Sequence, residues 1–592
     1  MTAAMFLHLY TLLGKNRTIL ILIYFSFRVI KCDQFEDNER KGIVMGADAE
    51  CRSIGNDILN VKGGSAVDAA IATMLCHGVK MPHAMGIGGG FHMVVYDRKS
   101  RKAEHIDARD MSPAAADINI FNNEKFVNHT LHDYQTKWGL LSIAVPGELS
   151  GYWTAHQRHG KLPWADLFQP TIKLARYGFP MTMYTASALN SWSATRRDPV
   201  DDESLCEIFC NPDGTRKQEG DLFKMPKLAD TLEIISKQGP KAFYDGCLTD
   251  KIIEELNSLS KDVTATNVSD KYFTREDFRN HQVKVREPFT TRLKNLTMFA
   301  PTSPASGPVV GFMLKLMEGF DIQVPPGGKM DNISEAKVYH KMAEAMKFGV
   351  AHRLQLGDIP DLSILDKMKD EKYIDEIRKK IVETSHDNKY SYAEKFAKED
   401  GGTLHFSIFA GNGDAVSVTS SINAPLGSYH RSRSTGVIFN NMITDFTYDI
   451  PLTRQLLKHK FHEANLIGPR KKPISSQSPT ILVDDKGEVR YVVGGAGGFH
   501  IISALLQVIT RILWLGQDIK TAIDMPRMTN TLVFYRLRYE KEFDVKTLRL
   551  LNLMRHKTRL FDSLPCIARV ECIMQHNNGT IEGYSDQRKF VT

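Results

Sequence analysis

The chain has 592 residues, of which 42% are hydrophobic and 24% are charged. These proportions are typical of a globular protein with a substantial core, built as several domains or as one long folded unit. The formal net charge of +7 is spread thinly, and no basic block with interleaved aromatic residues stands out. Composition and charge therefore exclude any strong case for nucleic acid as a partner.

An apolar run near the N-terminus indicates a targeting signal. Lys15 and Arg17 precede apolar residues 19–27, which are followed by Arg28. A transmembrane helix needs about 20 apolar residues, so this run better fits a signal peptide or a short signal anchor within residues 1–31. No clear small-residue cleavage site follows, so a secreted protein and a type II protein anchored at the cell surface both stay open.

Glycosylation sequons and cysteines agree with export to the extracellular side. Five Asn-X-Ser/Thr sequons start at Asn128, Asn267, Asn295, Asn332 and Asn578. Of the eight cysteines, two candidate disulfide pairs are Cys51 with Cys76 and Cys206 with Cys210. The second pair also resembles half of a zinc site, but no histidine or further cysteine pair lies nearby to complete it. We therefore expect disulfides and no metal.

The first third of the chain predicts two helices and then a strand pair. Residues 48–79 have a helical pattern interrupted at Gly63 and Gly64, and the glycine loop 85–90 then leads into strand-like residues 91–96. A second strand ends near residue 106. A dinucleotide-binding fold needs a strand, then glycines, then a helix, so this order argues against it.

The middle of the chain predicts helices and then a charged segment. Residues 167–256 alternate helical stretches with Pro and Gly breaks. Residues 361–398 are highly charged, and we predict a helix over 362–384 and an exposed, mobile segment over 385–400.

The last third predicts hairpins. Asn412-Gly413 lies between two apolar runs and is the strongest short hairpin signal, which would bring residues 421–423 beside 402–404. Further turns are predicted at 485–487 and at 578–579. Hairpins interleaved with helices indicate an α+β sandwich whose sheets are covered by helices.

The tetrapeptide Asp400-Gly401-Gly402-Thr403 carries the candidate chemistry. Two glycines permit a strained turn in which the threonine hydroxyl attacks the preceding carbonyl. Hydrolysis of the resulting ester leaves Thr403 as a new N-terminus, and its α-amine, with a pKa of about 7.7 to 8, can serve as base for its own hydroxyl. Alone, this pattern also fits a threonine that simply opens a strand after a glycine turn.

The wider set of motifs resembles the γ-glutamyltransferases, also called γ-glutamyl transpeptidases or glutathione hydrolases. The resemblance covers about residues 42 to 530. It is carried by motifs that occur in this order: residues 63–70, 85–90, 106–109, 145–148, 400–403, 419–423, 439–441 with 445–446, 475–476 with 479–480, and 494–498.

The resemblance implies the fold and the subunit division. It implies the four-layer αββα sandwich of the N-terminal nucleophile hydrolases. It also implies cleavage between Gly402 and Thr403 into a large subunit of residues 42–402 and a small catalytic subunit of residues 403–592, which together form one folded unit as a heterodimer.

The resemblance also implies roles for individual residues. Thr403 would be the nucleophile, Ser421 a supporting hydroxyl, and the amides of Gly497 and Gly498 the oxyanion hole. A strand-like stretch 489–493 before these glycines and an apolar helix from about 499 support the last role independently. The substrate α-carboxylate and α-amino groups would be held by Arg109, Ser475, Ser476, Asn423 and Asp445.

The resemblance further implies a reaction that needs no cofactor. Thr403 would form a γ-glutamyl ester from glutathione or a related compound and pass the acyl group to water, an amino acid or a dipeptide.

The sequence departs from the family at Met442, where Glu or Gln is usual, and at Pro425, where animal members usually have an aromatic residue. These departures leave open a weak or inactive secreted homologue that binds γ-glutamyl compounds, and a related amidase of another acyl preference. The basic segment 534–560 resembles the family poorly and is unexplained.

Overall fold

The computed structural model describes residues 40–121, 138–193, 198, 201–259, 271–325, 330–361, 363–385, 402–447, 463–530, 536–561 and 567–588. The predicted targeting segment within residues 1–31 and nearly all of segment 385–400 lie outside these ranges. No helix within them is long and apolar enough to cross a membrane.

Strands from both halves of the chain build the centre of the fold. In chain order they are β1 (Ile43–Met45), β2 (Gly90–Asp97), β3 (Lys102–Ala108), β4 (Phe179–Pro180), β5 (Leu222–Phe223), β6 (Lys284–Arg286), β7 (Phe289–Leu293), β8 (Leu296–Ala300), β9 (Gly402–Phe409), β10 (Ala415–Asn423), β11 (Thr480–Asp484), β12 (Val489–Ala496), β13 (Met528–Thr529), β14 (Leu537–Tyr539), β15 (Thr558–Leu560), β16 (Arg569–Gln575) and β17 (Ile581–Ser585).

The helices lie between these strands along the chain. They are α1 (Ala49–Asn60), α2 (Ala66–Lys80), α3 (Ile118–Phe121), α4 (Glu148–His159), α5 (Trp164–Tyr177), α6 (Met183–Ser193), α7 (Glu203–Phe209), α8 (Pro226–Gln238), α9 (Lys241–Tyr244), α10 (Thr249–Ser258), α11 (Arg275–Arg279), α12 (Gly307–Glu318), α13 (Asn332–Arg353), α14 (Ser363–Lys367), α15 (Glu371–Arg378), α16 (Ile501–Leu513), α17 (Ile519–Asp524) and α18 (Val545–Leu553).

Two six-stranded antiparallel sheets stack face to face. The first has the order β1-β9-β10-β2-β3-β6 and the second the order β17-β16-β12-β11-β8-β7. Helices α1, α2, α4, α5 and α8 cover the outer face of the first sheet, and α12, α13 and α16 cover the second. The predicted four-layer αββα sandwich is confirmed, and residues 42–592 form one compact unit.

The β9–β10 hairpin follows from its turn sequence. Gly413 has φ of 92°, a conformation that glycine adopts without strain, and Asn412 donates its side-chain amide to Asp414. The pairing places Ser421 opposite Thr403 and Asn423 opposite Gly402, with an irregularity between the two pairs. The predicted approach of 421–423 to 402–404 is therefore confirmed.

Alternation along β9 separates the candidate nucleophile from the apolar core. Leu404, Phe406 and Ile408 point into the core beneath the helices of the first sheet. Thr403 and His405 occupy the alternate positions and point to the opposite face, toward the second sheet, because side chains alternate along a strand. The inner layer is thus polar at the Thr403 end, whereas Phe409 joins an apolar inter-sheet cluster at the other end.

Helices α1 and α2 form as the pattern predicts. Ser65 and Asp68 form a reciprocal capping box at the start of α2, and the Cys51–Cys76 disulfide joins the two helices. Both expected disulfides are present, since Cys206 bonds to Cys210 across the end of α7. A zinc site at that pair is therefore excluded.

The prediction of helical structure over 362–384 is confirmed in part. Two short helices, α14 and α15, occupy this region, and the second begins where the Asp370 side chain accepts a hydrogen bond from the Lys372 amide. A capping aspartate starts a new helix because it satisfies amides that would otherwise lack a partner. Strand β12 also extends further than expected, to Ala496 instead of ending near 493.

Candidate functional site

Thr403 lies beside a serine hydroxyl and the carbonyl that precedes it. Its side chain is buried, and its Oγ1 is 3.0 Å from Ser421 Oγ. Ser421 Oγ in turn donates to the Gly402 carbonyl oxygen at 2.5 Å. One hydroxyl therefore connects the candidate nucleophile to the carbonyl of the predicted scissile bond, and a hydrogen bond to that oxygen polarises the carbonyl.

Glycines bring the end of strand β12 against strand β9. A Cβ added to Gly494 would lie 2.2 Å from the His405 ring, two residues along β9 from Thr403. Ser417, on β10, donates to the Val493 carbonyl oxygen at 3.2 Å. Strand β12 therefore runs toward the Thr403 end of β9, and it can pack this closely only because residue 494 lacks a side chain.

The two glycines that follow β12 open a helix. Gly497 has φ of 138° and Gly498 has φ of 56°, and a Cβ on Gly497 would lie 2.5 Å from Ala568 Cα. A short 3-10 turn at Gly498–His500 then leads into α16. The first amides of a helix have no partner within it and favour negative charge. The arrangement suits the oxyanion role predicted for these glycines.

Arg109 and Asp445 form a buried ion pair. Arg109 directly follows β3 and is 2% exposed, and its guanidinium contacts the Asp445 carboxylate. The guanidinium also donates to the Ile474 carbonyl oxygen at 3.1 Å, and its Nη1 lies 2.8 Å from Met442 Sδ. The two groups predicted to hold the two ends of an amino-acid head group are therefore paired with each other.

Asn423 completes this cluster from the end of β10. It has φ of 75°, a conformation in which asparagine is one of the better tolerated residues. Its side-chain amide donates to Thr444 Oγ1 at 2.8 Å and to Asp445 Oδ1 at 3.1 Å. Asn423 thus links the short helical turn at Met442–Asp445 to the strand that carries Ser421.

Ser475 and Ser476 lie on the loop before β11. The Ser475 carbonyl oxygen accepts a hydrogen bond from Ser306, and its amide donates to the Pro304 carbonyl. This loop also carries the Ile474 carbonyl that binds Arg109. The loop therefore lies directly beside the Arg109–Asp445 pair.

Sequence reasoning missed Arg353, at the end of α13. This buried arginine donates to Ser476 Oγ at 3.0 Å and lies 4.6 Å from the centre of the Phe499 ring, directly after Gly498. It therefore supports both the serine loop and the glycine turn. No local motif surrounds Arg353, so only its position in the fold indicates this role.

A second buried charge network lies behind Arg109. Lys472 Nζ is 3.1 Å from Asp107 Oδ1, and both side chains are buried. Burial acts to raise the pKa of Asp107, but the neighbouring Lys472 and other cationic groups outweigh it and hold that pKa below its usual value. Asp107 therefore stays ionised and anchors the end of β3, from which Arg109 projects.

Glu148 lies under the opposite face of β10. Ser420 Oγ is 2.9 Å from both of its carboxyl oxygens, and Tyr152 donates to it at 2.6 Å. Burial raises the pKa of Glu148 to about 8. The group is therefore mostly protonated at neutral pH and braces the strand that carries Ser421 without adding charge near Thr403.

A possible metal-ligand cluster among the described residues lies elsewhere. His340, Glu344 and His556 approach one another beside α13, on the outer face of the second sheet. His340 and His556 already share a hydrogen bond of 2.7 Å, and Lys347 pairs with Glu344 at 2.7 Å. The histidines and Glu344 therefore already have hydrogen-bond and ion-pair partners, so we assign no metal to this cluster.

Comparison with known proteins supports the fold. The four-layer sandwich is the fold of the N-terminal nucleophile hydrolases. A cephalosporin acylase from Bacillus halodurans shares this fold, with a TM-score of 0.77 at 21% identity over 93% of this chain and 95% of that one. The γ-glutamyltranspeptidase of Helicobacter pylori has a TM-score of 0.50 at 27% identity, covering 58% of this chain and 92% of that one.

The family follows from the sequence match. The family model described as Gamma-glutamyltranspeptidase matches residues 51–590, so the chain belongs to the γ-glutamyltranspeptidase family. The chain is 37% identical to Scoloptoxin SSD14 of Scolopendra dehaani, over 91% of this chain and 89% of that protein. It is 34% identical to Glutathione hydrolase 5 proenzyme of Mus musculus, over 80% of this chain and 79% of that protein.

Proposed function

We propose that this protein is a self-processing γ-glutamyltransferase that cleaves γ-glutamyl amide bonds, with glutathione and its conjugates as donors. The observation that carries the proposal is the arrangement Thr403 Oγ1, Ser421 Oγ and Gly402 carbonyl, with contacts of 3.0 and 2.5 Å. It gives the hydroxyl a polarised carbonyl directly before it in the chain. The family's glutathione hydrolases supply the substrate class.

Self-processing would begin with attack of Thr403 Oγ1 on the Gly402 carbonyl carbon. The C–N bond breaks, the proton from the hydroxyl goes to the leaving nitrogen, and an ester joins Gly402 to Thr403. Water then hydrolyses the ester and frees the α-amine of Thr403. The products are residues up to 402 and residues 403–592, which stay together because β9 and β10 pair with β1 and β2 of the first fragment.

Turnover would use the same hydroxyl on a γ-glutamyl compound. The freed α-amine takes the hydroxyl proton as Oγ1 attacks the γ-carbonyl, and it passes that proton to the departing amine. The γ-glutamyl ester is then released to water, an amino acid or a dipeptide. Gly497 and Gly498 would stabilise the oxyanion, and fixed donors of this kind contribute roughly 3 kcal/mol each.

Arg109 and Asp445 would hold the glutamyl head group. Together they are complementary to a zwitterion, which offers a carboxylate to the arginine and an ammonium to the aspartate. Substrate binding would exchange the Arg109–Asp445 ion pair for two ion pairs, one between Arg109 and the carboxylate and one between Asp445 and the ammonium. These new pairs offset the desolvation cost of the charged groups. The loop that carries Ser475 and Ser476 would donate further hydrogen bonds to the carboxylate.

We infer export from the sequons and the disulfides.

Sequencing the N-termini of the purified protein under denaturing conditions tests the proposal. We expect two fragments, one of which begins at Thr403, and release of aniline from a γ-glutamyl anilide. A single uncut chain that releases no aniline would contradict both the processing and the assignment of the nucleophile.

A second candidate function is a weak or inactive homologue that binds γ-glutamyl compounds without turning them over. The contact between Met442 Sδ and the Arg109 guanidinium favours it, because a thioether is a weak acceptor where a carboxylate would bind strongly. The cluster therefore offers a substrate ammonium group one carboxylate, that of Asp445, and a thioether where a second carboxylate would lie.

Replacing Met442 by glutamate separates the two candidates. The new carboxylate would face Arg109 and the substrate ammonium, and one charge-assisted hydrogen bond contributes roughly 1.5 to 3 kcal/mol. We expect the KM for a γ-glutamyl anilide to fall roughly tenfold or more, whereas Met442→Leu should leave it nearly unchanged. If a correctly cut Met442→Glu protein stays at background turnover, the binding function is favoured.

A further inference from the structure

The segment 541–560 carries an excess of positive charge that the catalytic proposal does not use. It contains six basic and two acidic residues. It folds as helix α18 followed by strand β15, the edge strand of a small sheet in which β14 and β15 are parallel. The excess charge therefore sits on ordered elements with a defined surface.

Helix α18 presents one mixed face to solvent. Leu548 and Leu551 are buried beneath it, whereas Val545, Lys546 and Arg549 are exposed. Leu553, at the end of the same stripe, is 78% exposed, and Val545 is 59% exposed. The helix therefore offers apolar side chains at both ends of its outer face and cations between them.

Strand β15 continues this face. Asn552 exchanges two hydrogen bonds with Thr558, at 3.0 and 3.1 Å, which holds the end of α18 beside the strand. Arg555 and Lys557 are exposed in the connection, and Leu560 is 40% exposed on the strand. We call the exposed residues Val545, Lys546, Arg549, Leu553, Arg555, Lys557 and Leu560 the basic-apolar surface.

The cations of this surface form no close ion pairs within the described residues, although Lys546 lies near enough to Asp544 to help lower the pKa of that carboxyl. Among the described residues, no ion pair or side-chain hydrogen bond involves Lys546, Arg549, Arg555 or Lys557. Of the two nearby acids, Asp544 accepts a hydrogen bond from the Thr547 amide as the cap of α18. Edge strands often carry lysines that prevent aggregation, and this accounts for Lys557, which directly precedes edge strand β15. It does not explain cations on a helix or an exposed Leu553.

We propose that the basic-apolar surface binds the headgroup region of an anionic lipid bilayer. Cations attract the anionic headgroups, while exposed aliphatic side chains enter the interface between headgroups and acyl chains. A sulfated polysaccharide would match the cations but would give Val545, Leu553 and Leu560 nothing apolar to contact. The apolar residues therefore favour a membrane over a soluble polyanion.

Vesicle sedimentation with the full chain tests the proposal. Vesicles of phosphatidylcholine alone are compared with vesicles that also contain phosphatidylserine, at low and at high salt. The charge variant is Lys546→Glu/Arg549→Glu/Lys557→Glu, and the apolar variant is Val545→Ser/Leu553→Ser. The matched control, Lys161→Glu/Lys173→Glu/Lys251→Glu, makes the same charge change at exposed lysines on or just before helices α5 and α10. The N-terminal apolar run is common to all variants, so it cancels in the comparison.

We expect the wild type to prefer the anionic vesicles and to lose this preference at high salt. The charge variant should bind them roughly tenfold or more weakly, because each cation near an anionic surface contributes a several-fold factor. The apolar variant should weaken binding several-fold, and the control should bind as the wild type does.

Three results would overturn the proposal. They are equal binding of the wild type to both vesicle types, equal losses in the charge variant and the control, and a charge variant that loses affinity for heparin while its vesicle binding is unchanged. The last result would assign the surface to a sulfated polysaccharide. Unfolding temperatures are measured for all variants, and the glutamine triple variant at the same positions replaces the glutamate one if that protein unfolds early.

Discussion

Replacing Thr403 by alanine is expected to leave one uncut chain and to reduce γ-glutamyl anilide hydrolysis at least about a thousandfold. The substitution removes the hydroxyl that would attack both the Gly402 carbonyl and the substrate. It removes one side-chain hydrogen bond, to Ser421, and alanine fits the same strand position. The fold should therefore persist, which thermal unfolding can verify. Mass spectrometry of the denatured protein and aniline release are the measurements.

Two matched variants make the Thr403 result specific. Thr403→Ser keeps a hydroxyl at the same position and should still be cut and active, although more slowly. Ser421→Ala keeps the nucleophile but removes the hydrogen bond to the Gly402 carbonyl oxygen, so cleavage should slow markedly. Cleavage before residue 403 in the alanine variant would show that the bond is cut by another group or another protein.

Replacing Arg109 by lysine is expected to raise the KM for γ-glutamyl substrates about a hundredfold, with a smaller change in kcat. A lysine keeps the positive charge beside Asp445 but cannot make two parallel hydrogen bonds to a carboxylate. Losing one charge-assisted bond and misplacing the other costs roughly 3 kcal/mol. Steady-state kinetics with a γ-glutamyl anilide measures this effect.

A substrate control separates recognition from structural damage at Arg109. 4-Aminobutyryl anilide lacks the α-carboxylate, so wild type and Arg109→Lys should hydrolyse it equally slowly. Arg109→Ala should also lower the free energy of unfolding by roughly 3 to 5 kcal/mol, because it leaves Asp445 partly buried without its partner. An unchanged KM in the lysine variant would mean that Arg109 only supports the fold.

Local sequence patterns determined the elements that carry the nucleophile. The Asn412-Gly413 turn sets the register of β9 and β10, and this register places Ser421 opposite Thr403. Period-two alternation then separates Thr403 from the apolar side of the sheet. These features depend on residues fewer than about 20 positions apart, a range in which turn chemistry and strand periodicity specify geometry. The strand-glycine-helix order at Gly497 was predictable for the same reason.

Patterns of charge predicted secondary structure less well. The segment 362–384 looks helical throughout, but Asp370 caps a new helix within it. The segment 534–560 showed only an excess of basic residues. Within its described part, residues 536–560, the structure has strand β14, helix α18 and edge strand β15. The Asp370 cap is a local signal that the helical pattern obscured. The division of the basic segment depends on which residues become buried, and burial is decided by neighbours that are distant in the sequence.

The tertiary structure alone decided which side chains contact one another in the site. Arg109 meets Met442 and Asp445 more than 330 positions away, and Arg353 reaches Ser476 more than 120 positions away. These contacts form because two sheets stack and bring their strand ends together, and no local propensity encodes them. The sequence by itself thus determined the family, the candidate nucleophile and the hairpin that presents it. Only the packed sandwich decided that Arg109 pairs with Asp445 and that Met442 lies against the guanidinium, because the partners of an ion pair are selected by three-dimensional proximity.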